Sequence, residues 1–448
     1  MRDSENDFDA IVAGAGPAGS IAAFALARAG FSVALVDKAR FPRDKACGDF
    51  VGPHAVRELR ALGLEDAIDL ADDNRITEGR VFVDGRCVID RPFPTIDGLL
   101  PYGCVVAREV FDERLFRAAL NAGAQPFEEH TFLDYAEDAR GVRVDVRGPE
   151  GPRALRAGAL IGADGSASVV ALRLRGHAQP KADRLIAVRA YYENVAMAEP
   201  AVELYFHRET FPGYLWLFSL GGGRANVGLG MVAQTLPPFE EQLRDVLTAT
   251  IARDEVLRAR LGGATLSGKI AAWPLSTYNP SLPLASERVV LAGDAAGFIN
   301  PINGEGLQYA IESGRWAAEA VAGALRSDGV THASFSGYED RVAREIGADL
   351  TLNRGMVQLI ANRALNPAWL ALLGAWCERA DRDPAYLNVA AAVVAGLVRS
   401  RRLFEPATRD VSFSTARAAL RQLPTSAAIE MIEGLWTAAF ADPKAAWE

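Results

Sequence analysis

Phe8-Asp9-Ala10-Ile11-Val12-Ala13-Gly14-Ala15-Gly16-Pro17-Ala18-Gly19 is the stretch from which the rest of the chain is read. Phe8 to Ala13 is a short apolar run that predicts a buried strand, and a glycine turn follows at once. The alanine-rich segment from Pro17 to about Ala29 predicts a helix, ended by Gly30. Phe31 to Val36 predicts a second strand, and it ends in Asp37, 18 residues beyond Gly19. Strand, glycine turn, helix, strand and acid form the context that a dinucleotide-binding turn requires. Gly14 permits the tight turn, Gly16 lets backbone approach a pyrophosphate, and Gly19 lets the helix pack close to its strand. The helix start at Pro17-Ala18-Gly19 offers N–H groups and a positive partial charge to an anion. Asp37 is placed to accept ribose hydroxyls.

Around that unit the chain runs to 448 residues, enough for two or three domains, because single cores stop growing near ~250–300 residues. A net charge of −9 argues against nucleic-acid binding, which needs a basic footprint, and against electrostatic docking on anionic lipid. The four cysteines, Cys47, Cys87, Cys104 and Cys377, form no CxxC pair, so no zinc or dithiol site is expected. Such sparse usage fits a reducing cytoplasm, and the acidic N-terminus does not resemble a signal peptide. The apolar run Val389–Val398 is shorter than the ~20 residues of a membrane span, so any membrane contact is expected to be peripheral.

Two further motifs lie downstream. Ile161-Gly162-Ala163-Asp164-Gly165 ends a predicted meander over residues 141–161. The strand Val289–Leu291 leads into Gly293-Asp294, and Pro301-Ile302-Asn303-Gly304-Glu305-Gly306-Leu307 opens a helix expected to reach about Leu325. Each piece alone reads as an ordinary turn or cap; three in this order do not. Glu109–Asn121 and Phe239–Leu261 predict helices, and residues 184–230, rich in aromatic and β-branched side chains, predict a second, antiparallel sheet. From Phe335 onward the pattern is helical, broken by Pro367, Pro384, Pro406 and Pro424. The expected fold class is α/β with an α+β second layer. A Rossmann-type domain would span 1–79, 101–183 and 268–350, a mixed or antiparallel-sheet substrate domain 80–100 and 184–267, and a helical region 351–448.

The three motifs in order resemble the para-hydroxybenzoate-hydroxylase-like FAD superfamily. Phe41-Pro42-Arg43-Asp44-Lys45-Ala46-Cys47-Gly48-Asp49 and Phe211-Pro212-Gly213-Tyr214-Leu215-Trp216-Leu217-Phe218 look like its geranylgeranyl reductase branch. The resemblance implies non-covalent FAD, with NAD(P)H as a candidate reductant. It puts the ADP half on Gly14, Gly16, Pro17, Ala18, Gly19 and Asp37, with Lys38 and Lys45 in the cofactor set. Cys47 and Gly48 would lie near the isoalloxazine ring, Arg108 would contact the cofactor, and Asp164 belongs to the second motif. Gly293, Asp294, Gly304, Gly306 and Leu307 would hold the ribityl and pyrimidine side. Phe50, Tyr191, Tyr214, Trp216 and Phe218 would line an elongated apolar pocket for a hydrophobic small molecule.

Two positions depart from the branch pattern: Phe50 where the reductases carry glycine, and Ser219 where they carry proline. Cys47 is the candidate catalytic residue beside its ordinary reading as a small packing residue. His54 reads as a proton donor or a structural histidine, and Glu305 as a charge that suits a helix dipole. The expected activity is reduction of C=C bonds in a polyprenyl or polyene chain. A class A-type monooxygenase and a decalin-forming cyclase that keeps FAD as a structural part are the alternatives; Tyr214–Ser219 lacks the first Trp, the Ile and the Pro of the halogenase WxWxIP strand, which argues against halogenation.

Overall fold

A computed structural model describes residues 6–68, 74–96, 98–197, 200–235, 241–327, 329–362, 365–383, 385–386, 389, 392–393, 398–422, 425 and 429. Pro384, Pro424, the first five residues and most of the 389–398 run lie outside them. The chain forms two compact units: Met1–Arg75 with Gly103–Leu185 and Trp273–Arg354, and Ile76–Tyr102 with Ile186–Ala272 and Gly355–Glu448.

The first unit is built on a seven-stranded sheet. Phe8–Ala13 lies at its centre, parallel to Val33–Val36 on one side and to the second half of Gly151–Gly162 on the other. Val33–Val36 in turn pairs in parallel with Gln125–Phe127, and Leu160–Gly162 with Val289–Leu291. Val33–Val36, Val289–Leu291 and the Ala10–Ala13 end of the central strand are continuous apolar runs because both of their faces are covered. The first half of Gly151–Gly162 bends into an antiparallel meander with Gly141–Gly148 and Thr131–Asp138. Helix Pro17–Arg28 starts with proline in its first turn, where the missing N–H costs nothing, and is buried over most of its surface. It packs against Leu307–Arg326 so closely that a Cβ on Gly314 would lie 2.3 Å from the Ala18 carbonyl oxygen.

The second unit carries another seven-stranded sheet, in the order Thr265–Ser276, Arg184–Glu193, Arg224–Val232, Tyr214–Gly221, Ala201–Phe206, Glu78–Val83, Arg86–Pro92. Its pairing is mixed: Ala201–Phe206 runs parallel to Glu78–Val83. Leu215, Leu217, Val227 and Leu229 cover one face together with Leu243, Leu247, Leu257 and Leu261 of two helices. One helix was expected over Phe239–Leu261; instead Glu241–Arg253 and Glu255–Leu261 are separate. Asp254 breaks the run because its carboxylate caps the second helix, accepting from the Leu257 N–H at 2.8 Å. Pro367 and Pro406, expected as helix breakers, sit in first turns and open Asn366–Arg382 and Pro406–Gln422. No helix among the described residues is long and apolar enough to cross a membrane.

Gly314→Ala tests the helix contact. Alanine gains up to about 1 kcal/mol in a helix interior, whereas overpacking against a backbone that cannot swing away costs about 1–3 kcal/mol. A net loss of about 1 kcal/mol is expected in urea unfolding; an unchanged or raised midpoint would contradict the close approach.

Candidate functional site

Three sequence motifs, far apart along the chain, close on one another in the first unit. Gly14 has φ +97°, and a Cβ there would lie 2.3 Å from the Ala163 carbonyl oxygen and 2.7 Å from Asp164 Cα. That joins the first motif to the second. Ser166, just past the second motif, donates to Asp294 Oδ2 at 3.3 Å, which joins the second to the third. Gly293, at φ +59°, leaves no room for a Cβ beside Ala18, and its N–H is held by the Ser313 hydroxyl at 2.9 Å. The third motif therefore lies against the first helix turn.

Within this junction the glycines have separate tasks. A Cβ on Gly19 would fall 1.7 Å from the Gly14 oxygen, so that position is closed by backbone. At Gly16 the nearest atom is Arg43 Nη2 at 3.7 Å, so that face is open to a ligand. Asp37 accepts from the Ala15 N–H with Oδ2 and the Ala39 N–H with Oδ1, both at 2.8 Å. It closes the turn with two of its roughly four lone-pair sites and keeps the rest. Lys38 is exposed, with its ammonium 5.8 Å from the Trp273 ring centroid.

Positive charge gathers beside the turn. Arg108 forks onto Asp112 at 2.6 and 2.8 Å, Arg43 reaches the same carboxylate at 2.8 Å, and Lys45 pairs with Asp294 at 3.1 Å. Burial alone would raise the Asp112 carboxyl, but the Arg108 guanidinium, then Arg43, outweigh it and hold it below the usual range. Arg108 also reaches the Cys47 sulfur, which accepts from the Asp49 N–H at 3.5 Å. Arg108, expected at the cofactor, directs its Nε and Nη2 at Asp112 and also reaches Cys47. Arg43 and Asp112 were missed, although the four-residue spacing of Arg108 and Asp112 on a helix was a visible signal. Gly48 lies between Cys47 and Asp49, and His54 occupies the first turn of helix Pro53–Leu62.

Asp164 has a local task. Its Oδ2 accepts from the N–H groups of Val169 and Val170 at 2.7 and 3.2 Å, and its Oδ1 from the Ser168 hydroxyl, so it caps Val169–Arg175. Phe50 opens a two-residue strand against Gly103–Val105, and its ring fills the space where Gly103 lacks a side chain.

The second unit presents the aromatic row. Tyr214, Trp216 and Phe218 alternate with Leu215 and Leu217, so they occupy the sheet face opposite the two helices. Ring centroids are 6.2 Å apart for Tyr214–Trp216 and 6.3 Å for Trp216–Phe218. The Trp216 indole N–H donates to Asn226 Oδ1 at 2.9 Å, and its ring lies across Gly228, where a Cβ would come within 2.2 Å of it. Tyr191 lies 4.1 Å from the buried Arg189 guanidinium.

Glu305 differs from a charge that suits a helix dipole. Its Oε1 accepts from the Gln308 N–H at 3.0 Å, while Oε2 is buried with no partner. A helix N-terminus favours a carboxylate by at most about 1–2 kcal/mol, whereas burying an uncompensated ion costs several. Burial wins and lifts the Glu305 carboxyl to about 8, against the Gln308 N–H and aided by Glu312 and Asp294. Buried beside it, Tyr309 is raised too.

Residues 7–344 match the family described as FAD binding domain. The chain belongs to that family. The flavoprotein is 34% identical to a menaquinone reductase of Mycolicibacterium smegmatis over 72% of its own length and 77% of the relative's. It is 32% identical to digeranylgeranylglycerophospholipid reductase 2 of Methanopyrus kandleri over 76% of its length and 83% of the relative's. A geranylgeranyl bacteriochlorophyll reductase-like structure from Thermoplasma acidophilum shares the fold, with TM-score 0.73 at 20% identity, covering 95% of this chain and 99% of that one. It is an FAD-dependent oxidoreductase of the geranylgeranyl reductase branch. The open Gly16 face, the two adjoining helix starts and the turn through Gly304, at φ +65°, Gly306 and Leu307 fit a dinucleotide with a flavin.

Glu305 also has a stability signature. The folded flavoprotein without FAD keeps a proton that the unfolded chain releases above the ordinary value of 4.5. Stability therefore falls between that pH and about 8, by ~1.4 kcal/mol per unit, and this contribution is flat beyond. Glu305→Gln should remove that descent in urea unfolding measured from pH 5 to pH 9; parallel pH profiles for the two proteins would refute it.

Proposed function

We propose that this FAD-dependent oxidoreductase reduces C=C bonds in a long hydrophobic unsaturated chain, polyprenyl or polyene. The observation that carries the reading is the row Tyr214, Trp216 and Phe218. Three large rings in series on one sheet face make a flat apolar wall longer than any single ring needs for packing. The names of two relatives support the same substrate class, since a digeranylgeranyl lipid and menaquinone both carry isoprenoid chains. In this reading Tyr191 joins the apolar lining of the second unit, and Phe50 is a substrate-contacting residue of the first. Gly14, Gly16, Pro17, Ala18 and Gly19 take the pyrophosphate, and Asp37 and Lys38 the adenosine side. Lys45, Cys47, Gly48 and Arg108 flank the flavin, Asp164 shapes the second turn, and Gly293, Asp294, Gly304, Gly306 and Leu307 take the ribityl and pyrimidine side.

Bound FAD, once reduced by an external donor, supplies hydride to an alkene. The chain's own part is positional. The N–H groups at Gly306 and Leu307 favour negative charge at the helix start. Lys45 neutralises Asp294 and keeps it in place to accept a hydroxyl. The aromatic row excludes water from the alkene and fixes its approach.

The deciding experiment follows the flavin's visible absorbance anaerobically with NADPH, then NADH, and then adds a polyprenyl alkene. Bleaching, followed by recovery of colour with a saturated product, is the expected result. A hydroxylated product that needs air would replace the reading with a monooxygenase. A cyclised product without electron uptake would make FAD a structural part. Trp216→Ala should raise KM for the alkene about tenfold or more while FAD stoichiometry stays unchanged. An unaltered KM would remove the aromatic row from the substrate site.

A further inference from the structure

Glu305 stands between Gly304 and Gly306, in the turn that enters helix Leu307–Arg326. Its backbone N–H donates to Asn303 Oδ1 at 3.1 Å, so the turn is held, and its Oε2 is buried with no partner. The groups facing it come from several elements. Gln308, Tyr309 and Glu312 lie on its own helix, and Asp294 on the turn after Val289–Leu291. Lys45 is paired with Asp294 at 3.1 Å. From helix Pro53–Leu62, Arg57 lies 3.3 Å from Glu58 and 3.9 Å from Glu312. Beyond Tyr309, Asp349 and Asn353 of helix Ala348–Ile360 bond one another at 3.4 Å, and Asn353 donates to Asn300 at 3.2 Å. Among the described residues Glu305 forms no ion pair, and the cations near it are matched to other carboxylates. A carboxyl so placed is most easily accommodated with a proton on it.

We propose that, in solutions alkaline enough to ionise it beside oxidised flavin, Glu305 is a redox-linked proton acceptor for the bound cofactor, taking up a proton when the cofactor gains two electrons and releasing it when they leave. The inference rests on the FAD assignment of the Gly304–Leu307 turn made under Proposed function. Electrons added to an isoalloxazine place negative charge toward its N1 and C2=O edge, the edge that the N–H groups of this turn suit. An ionised Glu305 in the same turn would be repelled by that charge across a poorly solvated gap. Its proton affinity therefore rises on reduction. The balance is simple: starting from oxidised flavin beside an ionised Glu305, an external donor gives two electrons, one proton goes to the cofactor, and a second passes from solvent to Glu305 Oε2. On oxidation, Glu305 returns that proton to solvent or to a neighbouring acceptor. Glu305 is a positioning residue for charge; it need not touch the reacting carbon.

The test is the flavin midpoint potential of the holoenzyme, titrated with dithionite from pH 6 to pH 10, in the wild type and in Glu305→Gln. A window opening near pH 8 is expected in which the wild type takes up two protons per two electrons and the variant one. The wild-type slope there is twice as steep. Equal slopes at every pH would overturn the proposal. FAD stoichiometry separates the two failures: a chain that binds no FAD sinks the cofactor assignment, whereas bound FAD with matching slopes sinks only the role of Glu305. Should Glu305→Gln not load FAD, infrared difference spectra of the wild type on reduction decide. A protonated-carboxyl C=O signal that grows in that window supports the proposal, and its absence refutes it.

Discussion

Backbone touches backbone where Gly14 meets Ala163, and the first unit depends on that contact. Any side chain at Gly14 would occupy the Ala163 carbonyl oxygen, and any at Gly19 would occupy the Gly14 oxygen. Because neither exists, strand Phe8–Ala13, helix Pro17–Arg28 and the end of Gly151–Gly162 share one corner. Gly293 and Gly314 repeat the device, bringing the Asp294 turn and helix Leu307–Arg326 against Ala18. Two helix N-termini then adjoin the open face at Gly16. The open corner is a consequence of how tightly its surroundings are packed.

Charge around that corner is sorted by burial. Asp112 is wholly buried, yet two arginines keep it ionised, and the resulting cluster fixes the loop that carries Cys47. Glu305 has no cation of its own, and the same desolvation acts on it opposed only by hydrogen bonds from Gln308. Two carboxyls in one unit are thus shifted in opposite directions, because only one has guanidinium partners.

The second unit solves a different problem with a period of two. Leucines of Tyr214–Gly221 face two helices, and the rings between them face the other way. Gly228 lets the Trp216 indole lie across the neighbouring strand, and Asn226 satisfies its N–H, so a large polar-tipped ring is held without strain. The side chains at positions 214, 216 and 218 therefore form a row whose order follows from strand geometry alone.

How much of this was legible depends on the range of each interaction. Strand, glycine turn, helix, strand and acid lie within Phe8–Asp37, so local spacing and apolar runs were enough to read the Rossmann unit, its dinucleotide turn and the aromatic alternation. Asp254 and Pro367 were misread as helix interior and helix breaker, because propensity does not say which side of a break a capping residue serves. Burial and long-range partners were invisible. The chain itself could not show that Asp164 caps a helix, that Arg108 turns to Asp112 and Cys47, or that the Phe50 ring lies over Gly103. Sequence therefore determined the fold family and the cofactor class, which rest on residues close together in the chain. Tertiary structure alone decided the protonation of Asp112 and Glu305, because desolvation and Coulomb attraction depend on what packs around a charge, not on its neighbours in sequence.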